Sequence, residues 1–225
     1  THLFAYQPES LPLTRLTSGP WDDITPALSP DGKLLAFASN RNRYWDLYIL
    51  ELASGEITRI TDSLEYDASP SWSPDGVWLA YESYVNSNLE ILIRPVSGDQ
   101  PPMQLTNNLS ADHSPAWAPA SGRKIAFVST RTGEPDIWII DLDQPGEAYF
   151  INASHNTNSW ESHPSWSPGG DSLAWASVEN GFHNLVLWDS TRPEVPPRSP
   201  GTGDWPIWSP NGESLLTTLL SPNHT

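Results

Sequence analysis

The chain has 225 residues, no cysteine, and a formal net charge of −16 from 11 basic and 27 acidic residues. The missing cysteines exclude disulfides and thiolate metal sites, and the charge repels a phosphate backbone, which excludes nucleic acid as a partner. No apolar run approaches transmembrane length, so no membrane insertion is expected, and 23 prolines argue against long helices.

Residues 1–17 read as the second half of a repeating unit, with one strand over His2–Tyr6 and an outer strand over Leu13–Thr17. The first complete unit opens on Pro26-Ala27-Leu28-Ser29-Pro30-Asp31-Gly32, a short inner strand and a turn in which glycine supplies a positive φ. Leu34–Phe37 is an apolar run suited to a strand buried on both faces, and a polar hairpin carrying Arg41 follows. Asp46–Leu50 is a third strand and Thr58–Thr61 a short outer one. The order returns from Pro70-Ser71-Trp72-Ser73-Pro74-Asp75-Gly76, from Pro115-Ala116-Trp117-Ala118-Pro119 and from Pro164-Ser165-Trp166-Ser167-Pro168. In the last of these, four prolines between Arg192 and Gly203 predict a short or absent outer strand. The chain then supplies a first half: Trp208, the Asn211-Gly212 turn and a strand within Ser214–Leu220.

Units centred near Leu28, Trp72, Trp117, Trp166 and Trp208 give a period in the forties with four short strands each, the signature of a β-propeller. The expectation is all-β: one domain over residues 1–225, five blades of four antiparallel strands, the fifth completed by residues 1–17 so that strands from both termini close the ring. The alternative is a fragment of a larger, six-bladed ring. Residue 1 falls inside a repeat, so a targeting segment is expected to lie outside this chain.

The units have the form Leu-Thr, loop, acid, two residues, Pro-x-Trp-Ser-Pro-Asp-Gly, apolar strand, Ser-x-Arg, Asp-hydrophobic-Tyr/Trp. This resembles the repeat of the TolB-type propellers, periplasmic proteins of the Tol–Pal cell-envelope system, over nearly the whole chain. The resemblance implies a non-catalytic, monomeric protein-binding or scaffold module in the periplasm or outside the cell. It also implies alternatives, since blades of this type occur in peptidases, oligogalacturonate lyases and sensors: an accessory propeller of a larger enzyme, or a carbohydrate-binding propeller.

Asp23, Asp67, Asp112 and Glu161 stand three residues before the inner-strand proline, and Asp204 stands one residue closer. In a propeller these positions place five acids around one channel mouth. Such a ring suits a divalent cation or a basic segment of a partner protein. Equally, each acid can tie its own loop, with Arg41 and Arg131 available as partners. Trp21, Tyr66, Trp160 and Trp205 flank the acids, with His113 and His163 in the same loops. Aromatics beside polar groups on loops make a binding face, or fold back over the blade tops. No nucleophile–base motif is present, so no catalytic residue and no enzyme activity are expected. Asp141-x-Asp143-x-Pro145-Gly146 imitates a calcium loop, but proline at the fifth position and Asn152 at the twelfth mark it as a hairpin.

Overall fold

The computed structural model describes residues 1–7, 10–119, 123–144, 150–154 and 158–219, and these contain strands and turns but no helix. They divide into two compact units, Thr1–Leu105 and Thr106–Thr225.

The first unit holds β1 (Phe4–Gln7), β2 (Ser10–Arg15), β3 (Asp23–Leu28), β4 (Leu34–Ser39), β5 (Asp46–Glu51), β6 (Ile57–Arg59), β7 (Asp67–Trp72), β8 (Trp78–Val85), β9 (Asn88–Pro95) and β10 (Met103–Gln104). β3–β6 and β7–β10 are antiparallel four-stranded blades in sequence order, and β1–β2 is a two-stranded pair. The second unit holds β11 (Asp112–Trp117), β12 (Lys124–Ser129), β13 (Asp136–Asp141), β14 (Phe150–Asn152), β15 (Trp160–Trp166), β16 (Ser172–Glu179), β17 (Phe182–Asp189), β18 (Arg198–Thr202), β19 (Asp204–Trp208) and β20 (Leu215–Thr218). β11–β14 and β15–β18 are blades of the same order, and β19–β20 is a pair. Closure by strands from both termini stays an expectation, and Leu220 and Thr225 lie outside the described residues.

The repeated phrase explains how blades stack. The Trp72 indole donates to the Ala27 carbonyl at 2.9 Å, Trp166 to Ala116 at 3.0 Å and Trp208 to Ser165 at 3.0 Å, in each case the inner strand of the preceding blade. The ring is a wedge and its N–H satisfies a carbonyl that the wedge has removed from water. The Ser-Pro-Asp-Gly turn is tied internally: Ser29 Oγ donates to Asp31 and accepts from the Leu34 N–H, while Gly32 sits at φ 71°.

The core sits between blades. Ala126, Val128, Ile137 and Ile139 pack against Trp166, Leu173, Trp175 and Trp188, for example. The expectation for the proline-rich stretch is corrected. β18 runs five residues, pairs Asn184 with Thr202 and Leu187 with Arg198, and accommodates Pro200 by a register shift at the blade's outer edge.

Candidate functional site

Each inner strand carries the acid at its start, as first residue in β3, β7, β11 and β19 and as second in β15, and then breaks. Thr25, Ser69, Ser114, His163 and Trp205, the residues before the prolines, have φ between 49° and 54°. The ladder to the second strand slips at these points, between Ile24 and Ala27 in β3 and between Ser162 and Ser165 in β15. Proline has no N–H to give the ladder, so a bulge falls there and turns the preceding side chain away from its regular place in the sheet.

Four of the five acids face inward. Asp23 and Asp112 are wholly buried and Asp67 and Glu161 are 2% exposed. Register places each one in a row across its blade: Asp23–Ser39–Asp46, Asp67–Ser83–Glu90, Asp112–Ser129–Asp136 and Glu161–Ser177–Asn184. Arg41 reaches Asp23 and Arg131 reaches Asp112, both at 2.9 Å. Ser63 donates to Asp67 at 3.0 Å, while Glu161 accepts from Ser159, from Ser177 at 3.0 Å and from the Trp175 indole at 2.6 Å. Burial pushes the Asp67 and Glu161 carboxyls up against these hydrogen bonds. At Asp23 burial acts the same way, but bonds from Ser39, Thr17 and Arg41 prevail and hold it below the usual range. These four carboxylates are occupied as internal ties. Among the described residues no group of three or more His, Asp or Glu side chains is placed to hold a metal ion. Pro145–Tyr149 of the calcium-like stretch lies outside the described residues.

The aromatics divide. Trp21 is half-buried beneath the Arg41 guanidinium, 5.3 Å from its ring centroid. Tyr66 packs edge-on against Trp45 and donates its hydroxyl to Glu82 at 3.1 Å. Trp160 and Trp205 are 61% and 55% exposed.

The second unit gathers the remaining residues. The His163 and Trp205 rings stack with centroids 3.7 Å apart. Asp204 lies between two imidazoles, its Oδ1 3.3 Å from His163 Nδ1 and its Oδ2 3.3 Å from His183 Nδ1. Burial pushes the His163 imidazole below its ordinary value, against the attraction of Asp204 and with a contribution from His113. His113 Nδ1 lies 3.0 Å from Ser114 Oγ. Trp160 heads the cross-strand row Trp160–Val178–His183, on the sheet face that carries His183.

Structure thus brings Asp204, His163, Trp205 and the His183-bearing face beside Trp160 together within the second unit, while Asp23, Asp67, Asp112, Glu161, Trp21 and Tyr66 are engaged in packing and ties within their own units. His183 escaped the sequence reading. It stands one residue before Asn184, where Trp45 and Pro135 stand in other blades, and only the fold carries it to Asp204.

A family model described as the TolB beta propeller domain matches residues 13–101 and 86–222. The protein TolB homolog of Chlorobaculum tepidum is 31% identical over 99 residues, 44% of this chain and 22% of the relative. The matched stretch thus spans under a quarter of that relative's length. Among solved structures, TolB from Acinetobacter baumannii has a TM-score of 0.78 at 23% identity, over 90% of this chain and 50% of that one. An oligogalacturonate lyase from Vibrio parahaemolyticus has a TM-score of 0.69 at 12% identity, over 92% of this chain and 61% of that one. At these identities the structural likenesses speak for the fold alone.

Proposed function

Given that the chain belongs to the TolB β-propeller domain family, we propose that it is a non-catalytic module that binds a protein partner outside the cytoplasm, through the end of the second unit carrying Trp160, His163 and Trp205. The observation that carries this reading is the exposure of Trp160 and Trp205 beside the His163–Asp204–His183 cluster. Exposed indoles next to titratable polar groups on a rigid sheet end are the composition of a protein-binding surface. The extracytoplasmic location rests on the family resemblance and on the absence of cysteine being compatible with it.

A second reading, the accessory propeller of an enzyme, draws on the lyase likeness and on one geometric point. Asp204 Oδ1 lies 3.3 Å from His163 Nδ1, on the ring nitrogen by which a carboxylate orients a general base. The geometry pairs His163 with no nucleophile among the described residues, and Ser114 is engaged with His113.

The test is site-specific photo-crosslinking in the native host from position 160 and position 205, with position 75 in an inter-strand turn as control. A discrete protein adduct from 160 and 205, absent from 75, supports the binding module. Equal labelling at all three, or hydrolysis of peptides or polygalacturonate by the purified protein that is lost in His163→Ala, overturns it.

A further inference from the structure

Two blades enclose an arginine of their own. Arg41 and Arg131 stand two residues after Ser39 and Ser129, and each Nε donates to that serine, at 3.0 Å and 2.8 Å. Each guanidinium pairs with the acid that opens its blade and lies over aromatic rings. For Arg41 these are Trp21 at 5.3 Å, Phe37 at 5.2 Å and Tyr48 at 4.6 Å; for Arg131, Phe127 at 5.3 Å, Trp138 at 4.6 Å and Phe150 at 4.7 Å. Acid, serine and three aromatic side chains therefore make a cage for one guanidinium, combining ion pairing with cation–π contact.

The blade β15–β18 keeps the acid, the serine and one aromatic ring of the cage and lacks the arginine. Glu161, Ser177 and Trp175 occupy the places of Asp112, Ser129 and Phe127. The arginine position, two residues after the serine, is Glu179. The place of Tyr48 and Trp138 is taken by the smaller Val186, and that of Asp46 and Asp136 by Asn184. This blade has a cavity of about 790 Å³ lined by Glu161, Trp175, Ser177, Glu179, Asn184 and Val186. Glu194 and Arg198 also line it, so its charged lining is three carboxylates against one guanidinium. Glu161 accepts three hydrogen bonds, and a carboxylate has about four acceptor sites, so it retains capacity for one more donor.

We propose that this cavity binds an arginine side chain presented by a partner polypeptide, which fills in trans the place that Arg41 and Arg131 fill in their own blades. The guanidinium lies between Glu161 and Glu179 and against the Trp175 ring. Arginine is favoured over lysine because a planar fork can meet two carboxylates while stacking on an indole. The volume is of ligand-pocket size, within the usual range of roughly 300–1,000 Å³, and has room for the residues flanking the arginine. The net charge of −16 favours the approach of a basic segment. This site is separate from the Trp160–Trp205 face, so either assignment can fail without the other.

The probe is a blocked Gly-Arg-Gly tripeptide, with citrulline and lysine counterparts, titrated while the Trp175 indole N–H resonance is followed by NMR. Saturable shifts with the arginine peptide, and affinity lower by at least roughly tenfold for the neutral citrulline isostere, are expected. Glu179→Arg supplies the missing side chain in cis and should abolish peptide binding without loss of folding. Should Glu179→Arg not fold, Val186→Trp, which fills the cavity as Trp138 does in its own blade, should abolish binding in its place. No saturable shift, equal binding of arginine and citrulline peptides, or undiminished binding by the folded variant tested overturns the proposal, leaving the cavity a solvent-filled gap.

Discussion

His163 and Trp205 meet ring to ring at 3.7 Å although each occupies a left-handed backbone position, at φ 54° and 52°, that non-glycine residues rarely adopt. Two neighbouring inner strands each bulge before a proline, and the two bulges turn an imidazole and an indole against one another. Asp204 Oδ1 lies 3.3 Å from the imidazole Nδ1.

The first prediction concerns pH. Burial lowers the His163 imidazole below 6.5, so the folded state binds fewer protons than the unfolded state. Its contribution is fully present above 6.5 and is lost as pH falls through the lower folded value. The groups facing it are Asp204, which favours the charged form, and His113, which opposes it; His183 shares the Asp204 carboxylate. Urea unfolding between pH 7 and pH 5 should therefore show stability declining with acid, with a shallower decline in His163→Gln. Equal slopes in the two proteins would remove His163 as the cause.

A second prediction concerns the buried ties. Arg131→Met removes the partner of a carboxylate that is wholly buried, and an uncompensated buried charge costs about 3–5 kcal/mol. The hydrogen bond from Asn108 to Asp112 remains and should keep the loss toward the lower figure. Chemical denaturation measures it. The companion change Asp112→Asn in the Arg131→Met background should recover part of the loss, because it removes the stranded charge. A structural tie behaves in this way; a surface acid waiting for a ligand would gain from losing its neighbour's competition.

A third prediction separates the two tasks of the repeated tryptophan. Trp166→Phe keeps most of the wedge but leaves the Ala116 carbonyl without its 3.0 Å donor, a loss of about 1–3 kcal/mol. Trp166→Ala also empties the space among Ala126, Val128 and Leu173 and should cost about 3–5 kcal/mol. Near-equal losses for the two variants would show that the hydrogen bond, rather than the ring, holds the blades together.

The repeat made the fold legible. Strand order, the Asn211-Gly212 turn and the wedge position of the tryptophans all follow from local spacing, because apolar alternation and turn glycines act over a few residues. The pairing of Arg41 and Arg131 with the blade-opening acids was also readable, since both ends recur at fixed positions in the unit. The outer strand β18 was not, because its prolines forbid a regular ladder and only the sheet edge tolerates the shift that admits them.

Sequence alone determined that acids recur where inner strands begin. Whether a given acid faces solvent or the interior was decided by side chains on the neighbouring strand and its hairpin, far off in the chain: Arg41, Arg131, Trp175 and the serines that bury and bond the carboxylates. The gathering of His163, His183 and Asp204 is likewise a product of tertiary structure, since their spacing in the chain carries no ligand or catalytic period. The substitution of Glu179 for the caged arginine was visible in the letters, but its consequence was not. A cavity is a relation between facing surfaces, and it opens only where blade stacking fails to bring a side chain large enough to fill it.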